Sequence, residues 1–376
     1  MTRVVVVGAS LGGLAAAARL AKAGHEVVLV TDRPVADLPG PGPAHAIELP
    51  AAWRDLFRKS GRVLDAALAR HGLTLSPAPP EPVLLGDAEV AWPTDRGQQY
   101  AVISGALGAR AAEGWRDAVD RLGDLWQGVR RLGVEYELET SDPQTQRLLA
   151  SGRTVADLAR EVDPRLAPLV LATAIDVGSD PALTPEWMAC RLFVQRTFGL
   201  WRLEDADGAP QPQGRLVGAL RERLAERRVE VREEQAAGVA ARGVELVGGH
   251  VAADAVVSAV DLWRHAALTG REVAAVARRR QLGPFSLPRP PVPLARAATA
   301  PADDPYPAWA GPATWRALPA RLEDRVFYAG SGGLAGPQPW ARLLTGALAT
   351  YAVHEALTGE DIRPTNKALV THRRPA

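Results

Sequence analysis

Apolar residues open the chain in two short runs separated by a helical stretch. Residues 4–7 are all valine, as suits a strand covered on both faces. Gly8-Ala-Ser-Leu-Gly-Gly then makes a tight turn. The stretch 14–23 carries Leu14, Ala17, Ala18 and Ala21 on one stripe, which predicts a helix closed by Gly24. Residues 27–31 read as a second strand. A strand–helix–strand unit with a glycine-rich first turn predicts an α/β fold built on a parallel sheet.

The pattern then changes. A loop ends in Pro39-Gly-Pro-Gly-Pro, Pro50 opens a helix through Phe57, and 63–71 reads as a short helix. The stretch 83–93 reads as a hairpin about Gly86-Asp87. Helical spacing dominates from about 100 to 200, with helices expected at 101–108, 111–132, 154–162, 166–175 and 185–198. Strand-like runs return at 229–232, at 243–251 as the start of a hairpin, at 255–260 and at 325–330, with an amphipathic helix at 215–226. The Pro- and Ala-rich stretch 281–319 reads as strands and loops. Ser331-Gly-Gly-Leu-Ala-Gly-Pro is a second glycine-rich turn, followed by an apolar helix at 340–357 and a tail from 363.

Composition narrows the function classes. A chain of 376 residues is long enough for two joined domains. A net charge of +1 gives no electrostatic reason to expect a nucleic-acid partner. The single cysteine, Cys190, excludes an internal disulfide and fits a reducing compartment. With no secretory signal and no apolar stretch long enough to span a bilayer, the cytoplasm is the expected location, and peripheral contact with a membrane surface stays open. The histidines at 25, 45, 71, 250, 265, 354 and 372 lack metal-ligand spacing, so no metal site is expected. No Gly-x-Ser-x-Gly elbow is present to support hydrolase chemistry.

The opening turn carries the candidate chemistry. A nucleotide diphosphate binds at a helix N-terminus, where free N–H groups and the helix dipole favour an anion. The three glycines of the G-x-G-x-x-G pattern make the turn, admit the phosphates and pack helix on strand. Here those positions are Gly8, Ser10 and Gly13, so the middle glycine is a serine. The acidic residue that takes the ribose hydroxyls is expected about 20 residues on, at the end of the second strand. Thr31 holds that position, with Asp32 and Arg33 after it. Arg33 suits a 2′-phosphate, which Asp32 opposes, so an unphosphorylated ribose is the better match.

Three separated blocks now fit one pattern: the opening unit, the 215–262 stretch with Ala253-Asp254-Ala-Val-Val-Ser-Ala, and Phe327-Tyr-Ala-Gly with the turn and helix after it. Together they resemble the flavin-dependent amine oxidase and phytoene desaturase superfamily. The stretch 46–61, with Leu49-Pro and Trp53-Arg-Asp-Leu-Phe, is similar to a phytoene desaturase segment. The resemblance implies a glutathione-reductase-like (Rossmann-type) FAD domain with an inserted α+β substrate or cap domain. The FAD domain would comprise 1–75, 205–262 and 320–362, and the cap 76–204 and 263–319. It also implies that Gly8, Ser10, Leu11, Gly12 and Gly13 surround the FAD diphosphate, and that Thr31, Asp32 and Arg33 face the ribose. Ala237 would lie near the adenine, Gly330 and Ser331 at the diphosphate and ribityl chain, and Gly336 and Pro337 near the isoalloxazine. The superfamily usually has an aspartate where this chain has Ser331, and a glycine–arginine pair where it has the Pro-Gly loop.

The implied activity is an FAD-dependent oxidoreductase taking hydride from an apolar small molecule, with no catalytic residue named. The tryptophans at 187, 201, 309, 315 and 340 would line its channel. The substitutions at Ser10, Thr31 and Ser331 admit a second reading, a cofactor-less subunit that binds or regulates an active paralogue. A homodimer and a heterodimer with such a paralogue both stay open. Cys190, beside Trp187, Leu192 and Phe193, reads as a buried thiol, and His45 and Arg278-Arg-Arg read as solvated.

Overall fold

The computed structural model describes residues 1–33, 46–130, 151–177, 179–271, 320–333 and 338–364, with the backbone of 295–296 and 307–308. In chain order it opens with β1 (Arg3–Val7), α1 (Leu11–Lys22) and β2 (Glu26–Val30). Then come β3 (Ile47–Glu48), α2 (Pro50–Ser60), α3 (Leu64–Ala69) and β4 (Thr74–Pro77). The hairpin β5 (Glu81–Leu85) and β6 (Ala88–Trp92) turns at Gly86-Asp87, as its sequence predicts. The helical section holds α4 (Arg96–Leu107), α5 (Ala109–Arg130), α6 (Val155–Glu161), α7 (Ala167–Ile175) and α8 (Cys190–Phe198). A 3-10 turn at Glu186–Ala189 precedes α8, so the single helix expected at 185–198 is two pieces.

The chain continues with β7 (Leu200–Glu204), β8 (Pro210–Gln211), α9 (Gly214–Glu226) and β9 (Glu230–Arg232). After these come β10 (Ala236–Ala240), β11 (Gly243–Leu246), β12 (Gly249–Ala252), β13 (Ala255–Ser258) and α10 (Leu262–Leu268). The two-residue strands β14 (Ala295–Arg296) and β15 (Pro307–Ala308) pair with each other. Last are β16 (Arg321–Glu323), β17 (Val326–Tyr328) and α11 (Pro339–Thr358).

The main sheet has the order β16-β17-β13-β1-β2-β9, parallel except for β16. Alternation along β1 explains how both faces are filled. Val4 and Val6 point into a core shared with α1, α9 and α11, and Val5 and Val7 point into a second core with β10, β11 and β12. All four valines are essentially buried, each contributing about 1.5–3 kcal/mol. Helices therefore cover one face and an antiparallel meander the other. That meander replaces the simple hairpin expected from residue 243, because β10 joins it.

A second sheet, β3-β7-β4 with β8 on β7, draws its strands from both sides of the helical section. Among the described residues no helix is long and apolar enough to cross a membrane.

Candidate functional site

The C-terminal ends of β1, β2 and β13 converge on the first glycine turn. Gly8 has φ +103°, which a side chain rarely tolerates, and its amide donates to the Val30 carbonyl at 2.8 Å. The helix begins at Leu11, three residues before the apolar stripe starts. Ser10 is its N-cap, and its hydroxyl accepts from the Gly13 amide at 3.3 Å. The same hydroxyl donates to the Ala259 carbonyl at 2.7 Å, which ties the helix start to the end of β13. Ser10 is thus spent inward on the fold.

The other glycines of the turn are packing glycines. A Cβ on Gly12 would overlap the Ala329 carbonyl oxygen after β17, and one on Gly13 would overlap the Gly8 carbonyl. Gly346 of α11 in turn sits against the Gly12 carbonyl, so α1 and α11 cross backbone to backbone. Two donors remain. The amides of Leu11 and Gly12 have no acceptor among the described residues, and the first turn of α1 holds no acidic side chain. They leave an anion-binding helix end.

At the end of β2, Thr31 is buried and its hydroxyl donates to the Arg33 carbonyl at 2.9 Å, closing a local turn. Asp32 is half-exposed and ion-paired with Arg264 at 2.6 Å. Arg264 is aimed from α10, whose N-cap Asp261 accepts from the Trp263 and Arg264 amides at 3.0 and 3.1 Å. Because β13 and β2 flank β1, this pair joins the segments that follow the two strands on either side of it. Asp32 is the carboxylate nearest in sequence to the expected ribose position, and Arg264 was not legible as its partner 232 residues away.

The second glycine turn sits on a buried polar cluster. Gly330 lies under the Val260 carbonyl, Ser331 is buried, and the Gly332 amide donates to the Tyr328 hydroxyl at 3.1 Å. The Tyr328 ring meets His265 edge-on, centroids 5.6 Å apart, and His265 Nδ1 shares a 2.8 Å hydrogen bond with Ser258 Oγ. Burial, with a smaller contribution from Arg271, pushes His265 down to about 4.

The strand expected at 229–232 is β9, which ends at Arg232. Ala237 stands exposed on β10 of the meander. Gly336, Pro337, His45, Arg278-Arg-Arg, Trp309 and Trp315 lie outside the described residues.

Trp187 and Trp340 are buried, and Trp201 lies under the Arg54 guanidinium at 5.2 Å. The Trp340 ring meets Trp126 edge-on at 5.5 Å. Cys190 is buried, its Sγ within 3.4 Å of the Leu122 carbonyl, and burial pushes its thiol up.

No family model matches the chain. Over 231 residues it is 31% identical to hydroxyneurosporene desaturase of Cereibacter sphaeroides, a match covering 54% of this chain and 44% of that protein. Over 232 residues it is 30% identical to the hydroxyneurosporene desaturase of Rhodobacter capsulatus, covering 54% and 45%. The match therefore spans less than half the length of either relative. Among solved structures, putrescine oxidase bound to putrescine aligns with a TM-score of 0.47 at 16% identity, covering 71% of this chain and 60% of that one. An oxidoreductase from Methanosarcina mazei aligns with a TM-score of 0.45 at 14% identity, covering 71% and 61%.

Proposed function

We propose that this chain, a member of the amine oxidase and desaturase-like flavoprotein superfamily, is an FAD-dependent oxidoreductase that takes hydride from an apolar small molecule of the polyene type. The observation that carries this reading is the end of α1. It is pinned by Gly12, Gly13 and Ser10, with the Leu11 and Gly12 amides left to receive a diphosphate. The donor set suits that half of FAD, because two amides and an unopposed helix dipole favour an anion. When bound, FAD supplies the hydride acceptor, so the protein needs no dedicated acid or base.

This chain's residues then divide the remaining work. Asp32 offers a carboxylate to the ribose hydroxyls once it turns from Arg264, and Arg264 is then free to face the phosphates. The second glycine turn, whose Gly332 amide is held by the Tyr328 hydroxyl, would help hold the diphosphate. We assign 1–75, 205–262 and 320–362 to cofactor binding, and 76–204 and 263–319 to the substrate side. Trp340 and Trp126 then stand where α11 meets the helical section, a suitable apolar wall for a polyene.

The test is to purify the protein and measure flavin absorbance and FAD affinity. Yellow protein near one FAD per chain, able to oxidise a polyene in an apolar vehicle, supports the reading. Colourless protein that takes up no added FAD overturns it and leaves a cofactor-less subunit of the same fold.

A further inference from the structure

We propose that Glu48 is a positioning residue that sets the start of α11 and the cap helix α8 relative to the cofactor cleft, through the strained turn at Leu49. The proposal rests on the oxidoreductase reading for its kinetic consequence and on the structure alone for its mechanical one.

The chain passes from the second sheet to the helical layer in three residues. Glu48 ends β3, paired with Leu200 of β7, and Pro50 begins α2, which packs on α1 and α11. Between them Leu49 adopts φ 44° and ψ 62°, a left-handed conformation costly for a branched residue, although it is buried. Such a conformation persists only where its surroundings hold it.

The Glu48 carboxylate supplies that hold. Its side chain is 11% exposed. Oε1 accepts from Arg191 Nε at 2.6 Å and from Gln195 Nε2 at 2.8 Å, two residues one turn apart on α8. Oε2 faces the Trp340 indole N–H at 3.4 Å, in the first turn of α11. Arg191 is itself held by Asp176 at the end of α7, at 2.9 Å. One carboxylate therefore links α8, and through Arg191 α7, to the helix that crosses the N-terminus of α1 at Gly346 and Gly12. A displacement of Trp340 would reach the contact at Gly346 through fewer than two turns of α11.

The experiment compares wild type, Glu48→Ala and Glu48→Gln by amide hydrogen exchange, without added cofactor and with FAD. In Glu48→Ala, exchange should rise about tenfold in α8 and the first turn of α11, with β1 and the body of α1 unchanged. Glu48→Gln keeps an acceptor and should fall between. In the FAD-loaded protein, the Glu48→Ala KM for a polyene should rise about fivefold or more, while FAD affinity stays within about twofold of wild type. Exchange unchanged in α8 and α11, or raised equally in β1 and α1, would falsify the positioning role. If wild type binds no FAD, the oxidoreductase reading fails, and the exchange pattern still decides the role of Glu48.

Discussion

Acid should loosen this protein through His265. The ring is 2% exposed, bonded to Ser258 Oγ, and depressed to about 4 by burial and by Arg271, against about 6.5 when unfolded. The unfolded chain thus binds the proton more readily across that window. Stability from this group is complete above about pH 6.5 and is lost as pH falls toward 4. The difference of 2.5 units amounts to about 3 kcal/mol in full, and about 2 kcal/mol at about pH 5. His25 is also lowered, by burial and then by His354, and adds loss of the same sign.

The perturbation is His265→Gln, which can still bond Ser258 but cannot titrate. The assay is urea unfolding of both proteins at about pH 7.5 and pH 5. Wild type should lose about 2 kcal/mol more than the variant between the two conditions. Because His265 supports Tyr328, and Tyr328 holds the second glycine turn, wild type loaded with FAD should also release it more readily at the lower pH. Equal losses of stability in wild type and variant would refute the reasoning, since the burial of His265 would then carry no proton linkage.

Three further outcomes follow from the same geometry. Ser10→Ala should cost about 1 kcal/mol of stability by uncapping Gly13, while Ser10→Gly should keep or improve FAD affinity by titration, because the hydroxyl is spent on Ala259. Gly12→Ala should lower the melting temperature and weaken FAD binding, at a cost of about 1–3 kcal/mol from overpacking against Ala329, whereas Gly105→Ala on the open face of α4 should stabilise by up to about 1 kcal/mol. Glu186→Ala should cost about 2–3 kcal/mol in denaturant unfolding, because its buried carboxylate joins Arg121 at 2.9 Å and Arg153 at 2.8 Å, and these cations are only partly desolvated.

The elements near the site were largely legible from sequence. The valine run, the glycine turn, the helix stripe and the second strand are local patterns, and the structure keeps them with shifts of a few residues at the ends. The hairpin at 81–92 and the helix at 214–226 are local in the same sense. The 3-10 turn at Glu186–Ala189 and the strand at Ala236–Ala240 were not legible as such. A short apolar stretch suits several backbone forms, and packing chooses among them.

The sequence by itself determined the opening strand–helix–strand unit, the place of both glycine turns and the covering of β1 on both faces, because spacing and turn chemistry act over a few residues, whereas the second sheet β3-β7-β4 was not legible. Tertiary structure alone decided what the polar side chains do. Ser10 finds Ala259 across 249 residues, Asp32 finds Arg264 across 232, and Glu48 finds Trp340 across 292. A hydroxyl or carboxylate bonds whatever the fold brings within about 3 Å, and that distance is set by the packing of the sheet, α10 and α11.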